Sequence, residues 1–248
     1  MNLKACLKAM SNWRQKYYDC FSKFYDRFVA MHSSDPEGSL KTYLVDQTGL
    51  SIRDRVLDIC TGTGSLLLKL KEKTGSDGLV VGLDYSRGML TVAREKIGAL
   101  PNVCLIQGDA GRLPFRNNAF DAVTCTHAFY ELKGPSQNAC LREISRTLKP
   151  AKPFVMMEHE VPSRRLIRFL FYLRMLSMGA GRAFQILKHE QKLLLTYFRS
   201  ALKMQTPTGN SKIWICENHC QPHNLGKGRG SNLDSLVKSQ NSKIKNFI

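Results

Sequence analysis

From residue 55 onward, two hydrophobic periodicities take turns along the chain. Arg55–Ile59, Leu79–Asp84, Val103–Gln107, Phe120–Cys125 and Pro153–Glu158 are short apolar runs with the length and branched-residue content of buried strands. Between them, Leu66–Lys73, Met89–Ile97 and Gln137–Leu148 place apolar residues three and four apart, the spacing of a helix with one buried face. Such alternation predicts an α/β fold, a parallel sheet covered by helices on both faces. Upstream, residues 12–30 set Trp13, Tyr17, Tyr18, Phe21, Phe24, Tyr25 and Phe28 at helical spacing, and 39–50 reads as a second helix. Downstream, Ser163–Leu202 reads as helical, with Arg164, Arg165, Arg168 and Arg174 interrupting an apolar run, and Lys212–Cys216 as a last short strand. From Asn218 to Ile248 the composition turns to Asn, Gly, Ser and Lys with little to bury, so a disordered tail is expected there.

Composition narrows the class. The 248 residues are 43% hydrophobic and 23% charged, enough apolar content for one domain with a real core. The net charge of +17 is uneven: Lys and Arg exceed Asp and Glu by 6 over residues 1–150, by 7 over 151–217 and by 4 over 218–248. A basic second half suits an acidic partner such as RNA, anionic lipid or an anionic substrate, and equally serves solubility alone. The eight cysteines form no CxxC pair and several lie in apolar runs, which reads as reduced, intracellular thiols. The first ten residues contain two lysines and no apolar stretch of signal-peptide length. No segment approaches the roughly 20 apolar residues of a spanning helix. A cytoplasmic protein is expected, with peripheral membrane contact open through 163–202.

The chemistry begins at the end of the first strand. Val56 to Ser65 runs from apolar strand into a loop holding Gly62 and Gly64, and the loop opens a helix whose free N–H groups favour anionic ligands. Open α/β sheets bind nucleotide-like ligands at such strand ends, and the loop alone fits a dehydrogenase or a methyltransferase. The second strand ends in Asp84-Tyr85-Ser86, about 20 positions on, where a carboxylate accepts from both ribose hydroxyls or else caps the following helix. The third ends in Gly108-Asp109-Ala110, where Asp109 is placed for an adenine amino group or for a plain turn. Acidic strand ends at Asp58, Asp84 and Asp109 in series reach beyond what one glycine loop says. The loop's lack of a third spaced glycine and the Asp109 step disfavour a nicotinamide oxidoreductase.

This series resembles the class I S-adenosylmethionine-dependent methyltransferases, especially the ubiquinone/menaquinone-biosynthesis C-methyltransferases. The matching pieces are Val56–Gly64, Gly82-Leu83-Asp84-Tyr85-Ser86 with Gly88-Met89-Leu90, Gly108-Asp109-Ala110, Leu113-Pro114-Phe115, Phe120-Asp121-Ala122-Val123, and Leu141 to Ile144 with Leu148-Lys149-Pro150. The resemblance implies a Rossmann-like methyltransferase fold, a mostly parallel seven-stranded sheet with helices on both faces. It implies S-adenosyl-L-methionine as cofactor, with the Asp58 to Gly64 loop, including Cys60 as a small-residue variant, beside the methionine part. Asp84 with Tyr85 would lie at the ribose, Met89 near the adenine, Asp109 and Ala110 at the adenine edge, and backbone near Cys125, Thr126 and His127 at the amino group. Residues 1–50 would form part of a lid, 51–217 the methyltransferase domain with a helical substrate cap at 163–202, and 218–248 the tail. Where the family has a Pro-Gly-Gly turn, this chain has Pro150-Ala151-Lys152-Pro153.

Methyl transfer needs alignment more than activation, and a base only where the acceptor must lose a proton. His127, Tyr130 and Glu131 after the fourth strand, and Glu158, His159 and Glu160 after the fifth, are the candidates, with His127 and His159 expected in one crevice. The acceptor expected is a small or lipid-like molecule, with a quinone-type ring within that class. Cys216, His219, Cys220 and His223 lack a second clear ligand pair, and no metal is expected. A non-catalytic adenosylmethionine-binding or RNA-associated regulatory protein on the same fold is the alternative; no aromatic–basic RNA module of recognisable spacing supports it. Nothing in the sequence fixes an oligomeric state.

Overall fold

The structure is a computed structural model and describes Asp19, Ser22 and residues 38–132, 135–160, 190–207, 209 and 211–220. Apart from Asp19 and Ser22, the expected helix over 12–30 lies outside the described residues, as do most of 163–202 and all of 221–248. The elements run α1 (Ser39–Asp46), β1 (Arg55–Ile59), α2 (Leu67–Thr74), β2 (Leu79–Asp84), α3 (Arg87–Ile97), β3 (Val103–Gln107), β4 (Ala122–Thr126), a single 3-10 turn (Phe129–Glu131), α4 (Pro135–Thr147), β5 (Pro153–His159), β6 (Ser200–Gln205) and β7 (Ser211–Glu217). One seven-stranded sheet takes the order β3-β2-β1-β4-β5-β7-β6. Pairings from β3 through β5 are parallel; β7 is antiparallel to both β5 and β6. The order reverses between β1 and β4, which leaves a crevice at their carboxyl ends.

Strand residues alternate between two cores because successive side chains point to opposite faces. Val56, Val80, Ala122, Val155, Met157 and Ile213 pack with Leu40 and Leu44 of α1, Leu67 and Leu70 of α2 and Ala93 of α3. Leu57, Val81, Val123, Phe154, Met156 and Trp214 pack on the other face with Cys140, Leu141 and Ile144 of α4 and with Leu194 and Phe198. Both faces being buried explains why these strands read as continuous apolar runs.

Several expected boundaries are corrected. The helix expected over 39–50 stops at Asp46, where the Thr48 hydroxyl donates to Val45 O at 2.5 Å and Gly49 turns to φ 62°. The fourth strand begins at Ala122 rather than Phe120, whose backbone makes only an isolated bridge to Leu148. α3 begins at Arg87 because Ser86, not Asp84, is its N-cap: the Ser86 Oγ accepts from Met89 N–H at 3.2 Å. The expected 163–202 helix is overturned at its end, since 190–195 is helical but Ser200–Gln205 is an edge strand. Its burial alternates weakly and it exposes Lys203 and Leu202, which hid it from a search for apolar runs.

The boundary of the expected tail also moves. Asn218 is buried, and its amide donates to Ser145 O at 2.9 Å and Leu148 O at 3.1 Å, near the C-terminus of α4, while its Oδ1 accepts from Ser145 Oγ at 2.9 Å. It thus satisfies carbonyls that a helix end leaves open and ties α4 to the end of β7. Asn218→Ala is expected to cost about 2 kcal/mol in urea unfolding, because several buried groups lose their partner. A change below about 0.5 kcal/mol would contradict that role.

Candidate active site

The loop after β1 is shaped by backbone conformations that side chains rarely adopt. Cys60, Gly62 and Gly64 have φ of 53°, 56° and 72°. Thr61 N–H donates to Leu83 O at 3.0 Å and Gly64 N–H to Thr61 O at 3.0 Å, so the loop folds against the end of β2. The two glycines are required on opposite sides. A Cβ at Gly62 would meet nothing within 4 Å, whereas one at Gly64 would lie 2.9 Å from Ala93 Cβ of α3. Gly62 therefore bares backbone towards open space and Gly64 lets the loop sit on α3.

Two carboxyls tie this loop to the sheet. Asp58, 1% exposed, accepts from Thr61 Oγ1 at 2.6 Å and from Thr124 Oγ1 of β4 at 2.7 Å. Burial dominates its ionisation and, with Asp84 nearby, raises it to about 7 against the lowering by its two hydroxyl donors. Asp84 accepts from Gly62 N–H at 2.8 Å and Ser86 N–H at 2.9 Å, and its carbonyl accepts from Gly108 N–H at 2.9 Å. Burial raises its pKa too, opposed by those N–H donors. Asp19 reaches the same rim, its Oδ1 accepting from Ser86 Oγ at 2.5 Å and Gly88 N–H at 2.8 Å. Sequence reasoning gave no role to Asp19 or to Ser86; an acid set among the aromatic and basic residues of 12–30 was the available signal.

The remaining residues expected at the cofactor line the strand ends. Met89 and Ala110 are buried, Thr126 is half-buried and Tyr85 is 43% exposed at the lip. Asp109 is exposed and one of its oxygens accepts from Gly111 N–H at 2.8 Å, so it closes its own turn.

The six polar residues after β4 and β5 do not form one cluster. His127, at φ 50°, donates its N–H to Met157 O at 2.8 Å, and its ring stacks on that of His159 with centroids 4.2 Å apart and planes 26° apart. Burial chiefly, then His159 and Lys41, push the His127 imidazole down to about 3, so it is neutral. Its Nδ1 is buried with no hydrogen-bond partner among the described residues. Glu158 is 2% exposed and points to the other face, where its Oε1 accepts from Phe129 N–H at 2.8 Å. Burial raises it to about 8, with Glu190 and Glu131 adding and Lys212 opposing. Tyr130 donates to Glu190, and Glu160 pairs with Lys203 at 2.6 Å. Glu131 lies half-buried in the 3-10 turn.

Comparison with known proteins meets this geometry. The methyltransferase domain family matches residues 56–151, from β1 to the turn before β5. A demethylmenaquinone methyltransferase of Staphylococcus aureus is 31% identical over 189 residues, covering 75% of this chain and 78% of its own. The chain belongs to the class I S-adenosylmethionine-dependent methyltransferases. Solved structures share the fold: an S-adenosylmethionine-dependent methyltransferase from Aquifex aeolicus (TM-score 0.52, 19% identity, 73% of this chain and 93% of the other) and one assigned to that class from Methanococcus maripaludis (TM-score 0.61, 16% identity, 84% and 95%). This methyltransferase has the expected seven-stranded, mostly parallel sheet. No described helix is long and apolar enough to cross a membrane.

The buried ionisable groups set a pH signature. Asp58 and Glu158, raised above their unfolded values of about 4, contribute stability that is complete below that pH and lost as pH rises through about 7 and about 8. His127, lowered, contributes stability present above about pH 6.5 and lost as pH falls through about 3. Glu158→Gln should therefore flatten the fall in melting temperature between about pH 5 and 8. A fall as steep as in the parent protein would contradict the assignment.

Proposed function

We propose that this methyltransferase binds S-adenosylmethionine across the β1 loop and Asp84, and methylates a planar, quinone-type acceptor held beside His127 and His159. The single observation that carries the acceptor is the flat, stacked imidazole pair at the carboxyl ends of β4 and β5, with one ring neutral and its Nδ1 without a described partner. The relative's name, demethylmenaquinone methyltransferase, supports the same class.

The residues present fit the cofactor. Gly62 bares its backbone where a side chain would fill space, and each oxygen of the Asp84 carboxylate, already oriented by backbone N–H donors, has more than one lone pair with which to accept from a ribose diol. Half-buried Asp84 and exposed Asp109 set carboxyls along the crevice of a chain of net charge +17, which suits a cationic ligand. When bound, S-adenosylmethionine supplies an electrophilic methyl on a sulfonium, so an in-line acceptor needs orientation above all. Met89 and Ala110 give the adenine an apolar wall, and Tyr85 flanks the ribose at the rim. Thr126 and the His127 backbone border the methionine end. The neutral His127 ring presents a flat surface and an acceptor or donor nitrogen to a ring hydroxyl, and His159 backs it.

Calorimetric titration tests the donor site. Asp84→Ala should weaken S-adenosylmethionine binding by roughly ten- to a hundredfold, the loss of a buried charged hydrogen-bond acceptor. An unchanged dissociation constant would sink the ribose assignment. For the acceptor, label from S-adenosylmethionine should enter a prenylated 1,4-naphthohydroquinone and the lipid fraction of a cell extract. Label confined to the RNA or protein fraction would overturn the quinone-type reading.

A further inference from the structure

Two charged side chains that the reaction above does not use are among the most deeply buried in the protein. Lys212 of β7 is 2% exposed and Glu190 of the 190–195 helix is 4% exposed, with Nζ to Oε2 at 2.6 Å. Burying such a pair costs several kcal/mol of hydration per ion, and an apolar pair of similar volume often serves stability as well. Their surroundings indicate what else the pair does. Glu190 uses its second oxygen, Oε1, to accept from the Tyr130 hydroxyl. Lys212 Nζ also lies 5.4 Å from the centroid of the Tyr130 ring, within cation–π range. In the sheet Lys212 sits directly opposite Glu158, whose Oε1 accepts from the N–H of Phe129, the residue before Tyr130. The 3-10 turn at the exit of β4 is thus gripped at consecutive residues by Glu158 of β5, Lys212 of β7 and Glu190 of the 190–195 helix.

The direction of these bonds has a chemical consequence. An ammonium group only donates, so Glu190 facing it accepts on Oε2 and, by accepting again on Oε1, takes the phenol's single proton. Burial, then Glu190 and Glu158, raise the Tyr130 phenol above its ordinary value and keep it protonated. With its proton committed to Glu190, the phenol oxygen of the half-buried Tyr130 has only a lone pair to offer a ligand. We infer that Glu190 and Lys212 are positioning residues that fix the Tyr130 phenol as the hydrogen-bond acceptor for a hydroxyl of the methyl acceptor. This rests on the acceptor site proposed above and adds to it the two residues that set its polarity.

A double-mutant cycle tests it on the full chain. Tyr130→Phe, Glu190→Gln and the double variant are compared for methyl transfer from labelled S-adenosylmethionine to a prenylated 1,4-naphthohydroquinone, with calorimetric S-adenosylmethionine affinity as the control for folding. Glu190→Gln can turn an amide N–H towards the phenol, so it should raise the acceptor KM about tenfold and leave cofactor affinity within about twofold. The double variant should lose no more than Tyr130→Phe alone, because the pair acts through that phenol. Lys212→Met should repeat the Glu190→Gln pattern where it folds. Losses that multiply in the double variant, an unchanged acceptor KM, or a parallel loss of cofactor affinity would each overturn the inference. If the parent protein leaves the naphthohydroquinone unlabelled, the acceptor class fails, and the cycle is run on whichever extract fraction is labelled: non-additivity there upholds the positioning pair, while additivity, or no labelled fraction, overturns it.

Discussion

The carboxyl of Asp58 joins the two halves of the sheet at the point where they part. β1 continues towards β2 and β3 on one side and towards β4 and β5 on the other, and the residue after β1 must leave the sheet without a neighbour to copy. Thr61 from the departing loop and Thr124 from β4 both donate to this one buried group. The left-handed turn at Cys60 brings Thr61 back over Asp58, and only then does Gly62 N–H meet Asp84. Because the donors are neutral hydroxyls, burial is not offset by a cation, which is why the carboxyl titrates near 7. A group so poised is tolerated when the geometry it imposes is needed.

From that junction the site divides by sheet face. The pleat of β5 sends His159 towards the side covered by α1, the left-handed backbone at His127 brings its ring onto His159, with Lys41 near the imidazole, and the pleat sends Glu158 and Lys212 towards the side covered by α4 and the 190–195 helix. Polar groups adjacent in sequence therefore belong to separate networks: a neutral aromatic stack, and a charged cluster gripping the turn Phe129–Glu131. The methyltransferase fold supplies the first through the parallel β4 and β5. Its antiparallel final strand supplies the second, since β7 places Lys212 against Glu158.

The sheet was legible from β1 to β5 because strands buried on both faces have no polar alternation to blur them, and β1, β2 and β3 match their expected ranges to the residue. β6 was not, since an edge strand with exposed Lys203 and Leu202 resembles the end of a helix in composition. Among site residues, the acidic strand ends stood out because a charge closing an apolar run is rarely incidental. Glu190 and Lys212 did not, because a charged residue beside an apolar run ordinarily marks the solvent face, and only the tertiary pairing shows both ends buried. Asp84 had the helix cap as its lesser reading, a role that the structure gives to Ser86.

The most direct measurement compares Asp58→Ala with Asp58→Asn for S-adenosylmethionine binding by calorimetry. If the carboxyl sets the shape of the donor loop, alanine should weaken binding at least tenfold by releasing Thr61 and Thr124, while asparagine, which keeps an acceptor oxygen and the volume, should retain most of the affinity. Parent-like binding by Asp58→Ala would contradict the dependence of the site on this one buried group.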